Sequence, residues 1–201
     1  MAGTTLLAAD IIPAAQSVST PNARSSPRER AFTAADTARV DRLLKLVQQG
    51  LDRAPKIAES RWATMTRIED SASELKAIDS TRSESMRQRL DPELAARFAM
   101  AQIEAGKAIQ AARHRQWALE GKTTPARAAE RNASVIAYQA PAPEPALGSA
   151  MLRALRDAAV VLRRAGGRQL LDARAADLIQ LGGADLLAGQ IALKPLYEIA
   201  H

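Results

Sequence analysis

Apolar residues recur along this chain at three- and four-residue steps, the spacing of one face of an α-helix. From Asp36 onward Val40, Leu43, Leu44, Val47, Leu51, Ala54 and Ala58 form such a stripe, which predicts a long helix ending near Trp62. Pro55 lies inside the stripe and is expected to kink that helix, because proline lacks a backbone N–H and crowds the preceding turn. A second helix is predicted from about Ser71 to Arg87. Asp91-Pro92-Glu93 then reads as a helix start, with Asp as cap, Pro in the first turn and Glu near the positive end of the dipole. The third helix continues through Phe98, Ile103 and Ile109 to about Leu119.

Pro125, Pro141, Pro143 and Pro145 interrupt the pattern between Gly121 and Gly148, which predicts a connection over residues 122–147. Beyond it, Met151, Leu152, Leu155, Ala158, Ala159 and Leu162 form another stripe, ended by Gly166-Gly167. A helix through Leu170, Leu171, Ala175 and Leu178 follows, Gly182-Gly183 breaks it, and a last short helix carries Leu186, Leu187, Ile191 and Leu193 up to Pro195. Residues 1–35 mix Pro13, Pro21 and Pro27 with Ser, Thr, Ala and Arg, a composition expected to form a flexible tail. Its start, Thr4 to Ile12, has the look of an export-signal remnant, but a basic n-region is missing and Asp10 interrupts the apolar run. The expected organisation is therefore a tail over 1–35, a helical core over 36–121, the connection over 122–147 and a C-terminal helical part over 148–201 that completes the bundle.

Composition sharpens this all-α reading. Hydrophobic residues make up 47% but aromatics only 3%, so the core must be built from Ala, Leu, Ile and Val, packed helix against helix. The absence of cysteine excludes disulfides, thiol nucleophiles and thiolate metal sites. His114 and His201 are the only imidazoles and lie far apart in sequence, which argues against a His-based metal site or a catalytic triad. The net charge of +6 suits an anionic partner, yet the basic residues alternate with Asp and Glu, as on solvated helical faces. Neither a nucleic-acid partner nor a membrane surface is expected, since no basic stripe with aromatics is present and no run approaches the roughly 20 apolar residues of a span.

Several short motifs carry more. Gly50-Leu51-Asp52-Arg53-Ala54-Pro55-Lys56-Ile57-Ala58-Glu59-Ser60-Arg61-Trp62 has the spacing of Arg-Leu-x-x-Ala-x-x-Val-Ala-x-x-Lys-Trp. Ile68-Glu69-Asp70-Ser71-Ala72-Ser73-Glu74 matches Ile-Glu-Asp-x-x-Arg-Glu, and Leu90-Asp91-Pro92 falls on an Asp-Pro helix start. Gln102-Ile103-Glu104-Ala105-Gly106-Lys107-Ala108-Ile109-Gln110 matches Gln-Ile-Glu-Ala-Asn-Lys-x-x-Gln, and Trp117 falls on a further tryptophan. These motifs, held at their mutual distances from about Val40 to Trp117, resemble the exported, all-helical class of chorismate mutases. The resemblance implies a helical bundle of that type, extended by the C-terminal helical half, and a periplasmic or secreted location.

In that family chorismate rearranges to prephenate without cofactor, metal or covalent intermediate. Catalysis comes from holding the folded substrate and stabilising charge on its ether oxygen. The resemblance gives Arg61 the place of the lysine that meets the ether oxygen, Gln110 that of its partner and Glu74 that of the carboxylate on the ring hydroxyl. Two arginines that grip substrate carboxylates are replaced, by Gly50 and by Ser73. Arg53 and Lys76, each three residues further on, stand on roughly the same helix faces and are candidate replacement cations. Asp157 falls near the place of a further family arginine, with Arg153 and Arg156 as neighbouring candidates. Gly106 replaces a small polar residue, which implies either close packing or a widened pocket. Trp62 and Trp117 suit core packing or a ligand platform, and Glu69 and Asp70 suit capping of the second helix. The readings carried forward are a mutase with a reworked carboxylate grip, or an enzyme for a related anion, and a catalytically silent scaffold for ligand binding or interaction. Monomer and homodimer are left open.

Overall fold

The computed structural model describes residues 31–124 and 145–201, so residues 1–30 of the expected tail over 1–35 and most of the expected connection lie outside the described residues, while the last residues of that tail hold the cap and start of the first helix. Helix α1 spans Ala34–Leu51 and opens on a capping box: the Thr33 hydroxyl accepts from the Asp36 N–H at 3.1 Å, and the Asp36 carboxylate accepts from the Thr33 N–H at 3.1 Å. Arg164 reaches the same carboxylate at 2.8 Å. The Thr33 N–H, with the Arg164 guanidinium beside it, holds the Asp36 carboxyl down at about 2.

The expected kink at Pro55 is instead a break. Helix α1 stops at Leu51 and α2 spans Ala54–Thr64, which puts Pro55 in the first turn of a new helix, where a missing N–H costs nothing. The chain turns between them by bonding back on itself, with the Asp52 N–H on the Gln48 carbonyl at 2.9 Å and the Arg53 N–H on the Gly50 carbonyl at 3.3 Å.

Helices α3, Ser71–Arg87, and α4, Pro92–Leu119, begin after aspartate caps. Asp70 accepts from the Ser73 N–H and Asp91 from the Glu93 N–H. They lie antiparallel, tied by Arg82 to Glu93 at 3.2 Å near one end and by Lys107 to Glu74 at 3.3 Å near the other.

Helix α5, Pro145–Leu162, starts inside the segment expected to be a connection, with its proline at the first position. Helix α6 spans Gly167–Leu178, a 3-10 turn covers Gly183–Asp185, and α7 spans Leu186–Ile199. The last helix was expected to stop before Pro195 but runs through it. An interior proline costs a helical hydrogen bond, roughly 3 kcal/mol. Here that loss is offset by burial of Leu193, Pro195 and Leu196, while the Gln102 amide ties α4 to this helix by donating to the Ala192 carbonyl at 2.9 Å.

The helices before and after residues 125–144 share one core. Helix α1 packs on α5 and α6, and α4 packs on α7, α3 and α2. Val40, Leu43, Leu94, Phe98, Leu155, Leu171 and Leu196 are all buried in it. The protein is thus an all-α bundle; among the described residues no helix is long and apolar enough to cross a membrane, and no cluster of three metal-ligating side chains occurs.

Candidate functional site

Arg61 lies in the last turn of α2. That helix closes with Met65 in the left-handed conformation, φ 53°, and the Thr66 N–H returns to the Arg61 carbonyl at 2.9 Å. The turn brings the carbonyls of Arg67 and Ile68 over the Arg61 side chain, whose Nη1 donates to both, the first at 2.9 Å. These neutral acceptors orient the guanidinium without cancelling its charge, and no carboxylate lies within ion-pair distance of it among the described residues.

Ser73 stands in the cap of α3. Its hydroxyl and N–H, with the charge of Arg61 adding, hold the Asp70 carboxyl below the usual carboxylate range. Glu74 completes the cap, its Oε1 accepting from the Asp70 N–H at 3.2 Å while its Oε2 accepts from Lys107 Nζ at 3.3 Å. Both oxygens of the carboxylate assigned to a ring hydroxyl are therefore already engaged. Lys107 also binds Glu104 at 2.9 Å, and the Glu104 and then the Glu74 carboxylate raise its pKa against the opposing desolvation.

Gln110 and Gly106 lie one turn apart on the same face of α4. Gln110 is buried, and its Oε1 has no hydrogen-bond partner among the described residues. A Cβ on Gly106 would meet Gln110 Nε2 at 3.8 Å, an ordinary contact, so packing does not demand the glycine. On α2, Ser60 Oγ and Trp62 Nε1 are likewise buried without partners. Gly50, by contrast, faces Met151: a Cβ there would lie 3.0 Å from the Met151 Cε, so any side chain at this position would need the end of Met151 to give way.

Past Gln110, α4 carries His114, whose Nε2–H donates to the Ala58 carbonyl at 2.9 Å and ties α4 to α2. Its ring packs on Trp62 and Trp117, with centroids 5.1 and 5.7 Å away, and the two indoles meet edge to face at 5.7 Å. Gly121, φ 68°, ends α4 and the Lys122 N–H folds back to the Trp117 carbonyl at 2.9 Å, carrying Lys122 Nζ to 6.0 Å from the Trp117 ring centre. A cavity of about 600 Å³ opens here, walled by Arg61, Trp62, Met65, His114 and Lys122 among others.

Of the remaining candidates, Arg153 and Arg156 lie apart. Arg53 is half-buried at the start of α2, whereas Ser73, Lys76 and Arg153 are exposed. Arg156 donates to Asp157 at 2.8 Å and to the carbonyl of Gln88, and the charge of Arg153 acts on Glu84. Both thus sit by the C-terminal end of α3. Glu84 is ten residues past Glu74, about 15 Å along the axis. Lys107, His114 and Lys122 were not among the candidates. Lys107 lies inside a quoted motif, and His114 follows Gln110 by one turn, so spacing on α4 was the available signal; for Lys122 it was only its place after Gly121.

No protein-family model matches the sequence, and no curated protein matches it either. Solved structures do. The chain is similar to a chorismate mutase from Burkholderia thailandensis, with a TM-score of 0.64 and 21% identity over 79% of this chain and 99% of that one. It is similar to a chorismate mutase from Burkholderia phymatum, with a TM-score of 0.62 and 19% identity over 81% of this chain and 98% of that one. The buried helical core, the aspartate-capped pair α3 and α4 and this likeness agree: the chain has the all-helical fold of the chorismate mutases.

Proposed function

We propose that the protein takes a small di-acid of the chorismate type into the interior of its bundle and rearranges it to prephenate, or acts on a related anion in a reworked pocket. The observation that supports this most is Gln110. A buried amide oxygen without a partner costs about 1–3 kcal/mol, an expense that a core position filled by leucine would avoid. The Gln110 amide can turn either its oxygen or its N–H2 toward a ligand, beside a glycine that leaves room. Arg61, pinned by two carbonyls and with the Asp70 carboxylate near it but outside ion-pair distance, supplies the positive charge in the role of ether-oxygen donor. Glu74 serves as a positioning group, since its oxygens hold Asp70 and Lys107.

Incubating the purified chain with chorismate and following its loss tests this reading. Turnover above the uncatalysed rate is expected, reduced by about two decades in Arg61→Ala and in Gln110→Leu, the usual worth of one charge-assisted contact. A folded wild-type protein that leaves chorismate at its background rate ends the rearrangement reading.

A second reading, a silent scaffold that binds without catalysing, is favoured by Met151 against Gly50 and by the exposure of Ser73 and Lys76, which leaves the carboxylate grip short of cations. Saturable stabilisation by chorismate without turnover is its signature.

A further inference from the structure

We propose that the cavity at the C-terminal ends of α2 and α4 binds a planar aromatic monocarboxylate, its ring against Trp62 and His114 and its carboxylate between Arg61 and Lys122. This cavity shares Arg61 with the proposed rearrangement site but is not lined by Gly106 or Gln110, and the inference does not rest on the rearrangement reading.

The wall chemistry selects the ligand. Arg61 and Lys122 line the cavity and no Asp or Glu does, among the described residues, so the charged side chains of its wall are cationic and offset the carbonyl ends of the two helices. Lys122 shares its charge with Glu120 at 2.9 Å, whereas Arg61 has only carbonyl acceptors, which makes Arg61 the stronger half of the grip. An inorganic anion alone would leave most of about 600 Å³ unfilled and the Trp62, Met65 and His114 surfaces wet. A flat ring covers them, and its quadrupole matches the edge-to-face packing already present between Trp62 and His114.

The wall is built by specific local structure. Met65 accepts a left-handed backbone, uncommon for a residue with a side chain, and so turns Thr66 into the wall. Gly121 does the same for Lys122 at the end of α4. The bond from His114 to Ala58 locks the two helices at the spacing that keeps the cavity open.

The full chain has two tryptophans, hence two indole N–H signals in a 15N-labelled sample, assignable by Trp62→Phe and Trp117→Phe. The probes are benzoate, cyclohexanecarboxylate and inorganic phosphate. Benzoate is expected to shift the Trp62 signal saturably, with a midpoint at least about fivefold below that of the saturated acid. Lys122→Ala, an exposed change that leaves the fold intact, is expected to raise the midpoint about threefold, and Arg61→Gln about tenfold or more. An unsaturable shift, an equal midpoint for cyclohexanecarboxylate or phosphate, or an unchanged midpoint in Lys122→Ala would overturn the proposal. Chorismate is absent from this titration, so its failure and a failure of the rearrangement reading are read separately.

Discussion

The Cε of Met151 lies 3.0 Å from the point where residue 50 would carry its first side-chain carbon. The glycine and the methionine therefore form a matched pair between α1 and α5. Gly50→Arg is expected to destabilise the fold by about 1–3 kcal/mol through overpacking. In a Met151→Ala background the added loss should fall below about 1 kcal/mol, a coupling that a double-mutant cycle in urea measures.

Gly106 has no such neighbour. Its Cβ would meet Gln110 Nε2 at 3.8 Å, in the middle of a 28-residue helix. Gly106→Ala should raise stability by roughly 0.5–1 kcal/mol, since alanine loses less backbone entropy in a helix. A measured loss would show that the glycine is held by a closer contact.

At Gly167 the opposite holds. A Cβ there would strike the backbone carbonyl of Leu162, which cannot move aside without opening the end of α5, and Gly166 before it has φ 83°. Gly167→Ala should cost about 2 kcal/mol or more, read as a fall in the urea midpoint with unchanged slope.

Asp36 carries a pH signature. Its folded pKa, about 2, lies below the ordinary 3.8, so the unfolded chain takes up the proton first as pH falls. The stabilisation is whole above about pH 4 and is lost progressively toward pH 2. Asp36→Asn should flatten that part of the stability profile, monitored by helical circular dichroism, and leave its shape near neutrality unchanged.

Local chemistry explains which parts were legible in the sequence. The starts of α3 and α4 could be read because Asp70 and Asp91 announce them, and the stripe Val40, Leu43, Leu44, Val47 is the buried face of α1. Pro55 was ambiguous because proline serves equally as a kink and as a first-turn residue; the backbone bonds of Asp52 and Arg53 decide it. Pro195 misled because the burial that carries α7 through it comes from other helices. The site was less legible for the same reason. Met151 against Gly50, Trp62 against Trp117 and Lys107 against Glu74 join distant segments and leave no local trace. The resemblance that marked Glu74 for a ligand could not reveal that capping and an ion pair already occupy it.

Calorimetric titration of the wild-type chain, Arg61→Ala and Gln110→Leu with chorismate tests most directly whether the bundle interior holds a small di-acid. Saturable one-to-one binding, weakened about tenfold or more by each substitution, is the predicted result. Binding that neither substitution alters, or no heat of binding from a folded wild type, would contradict it.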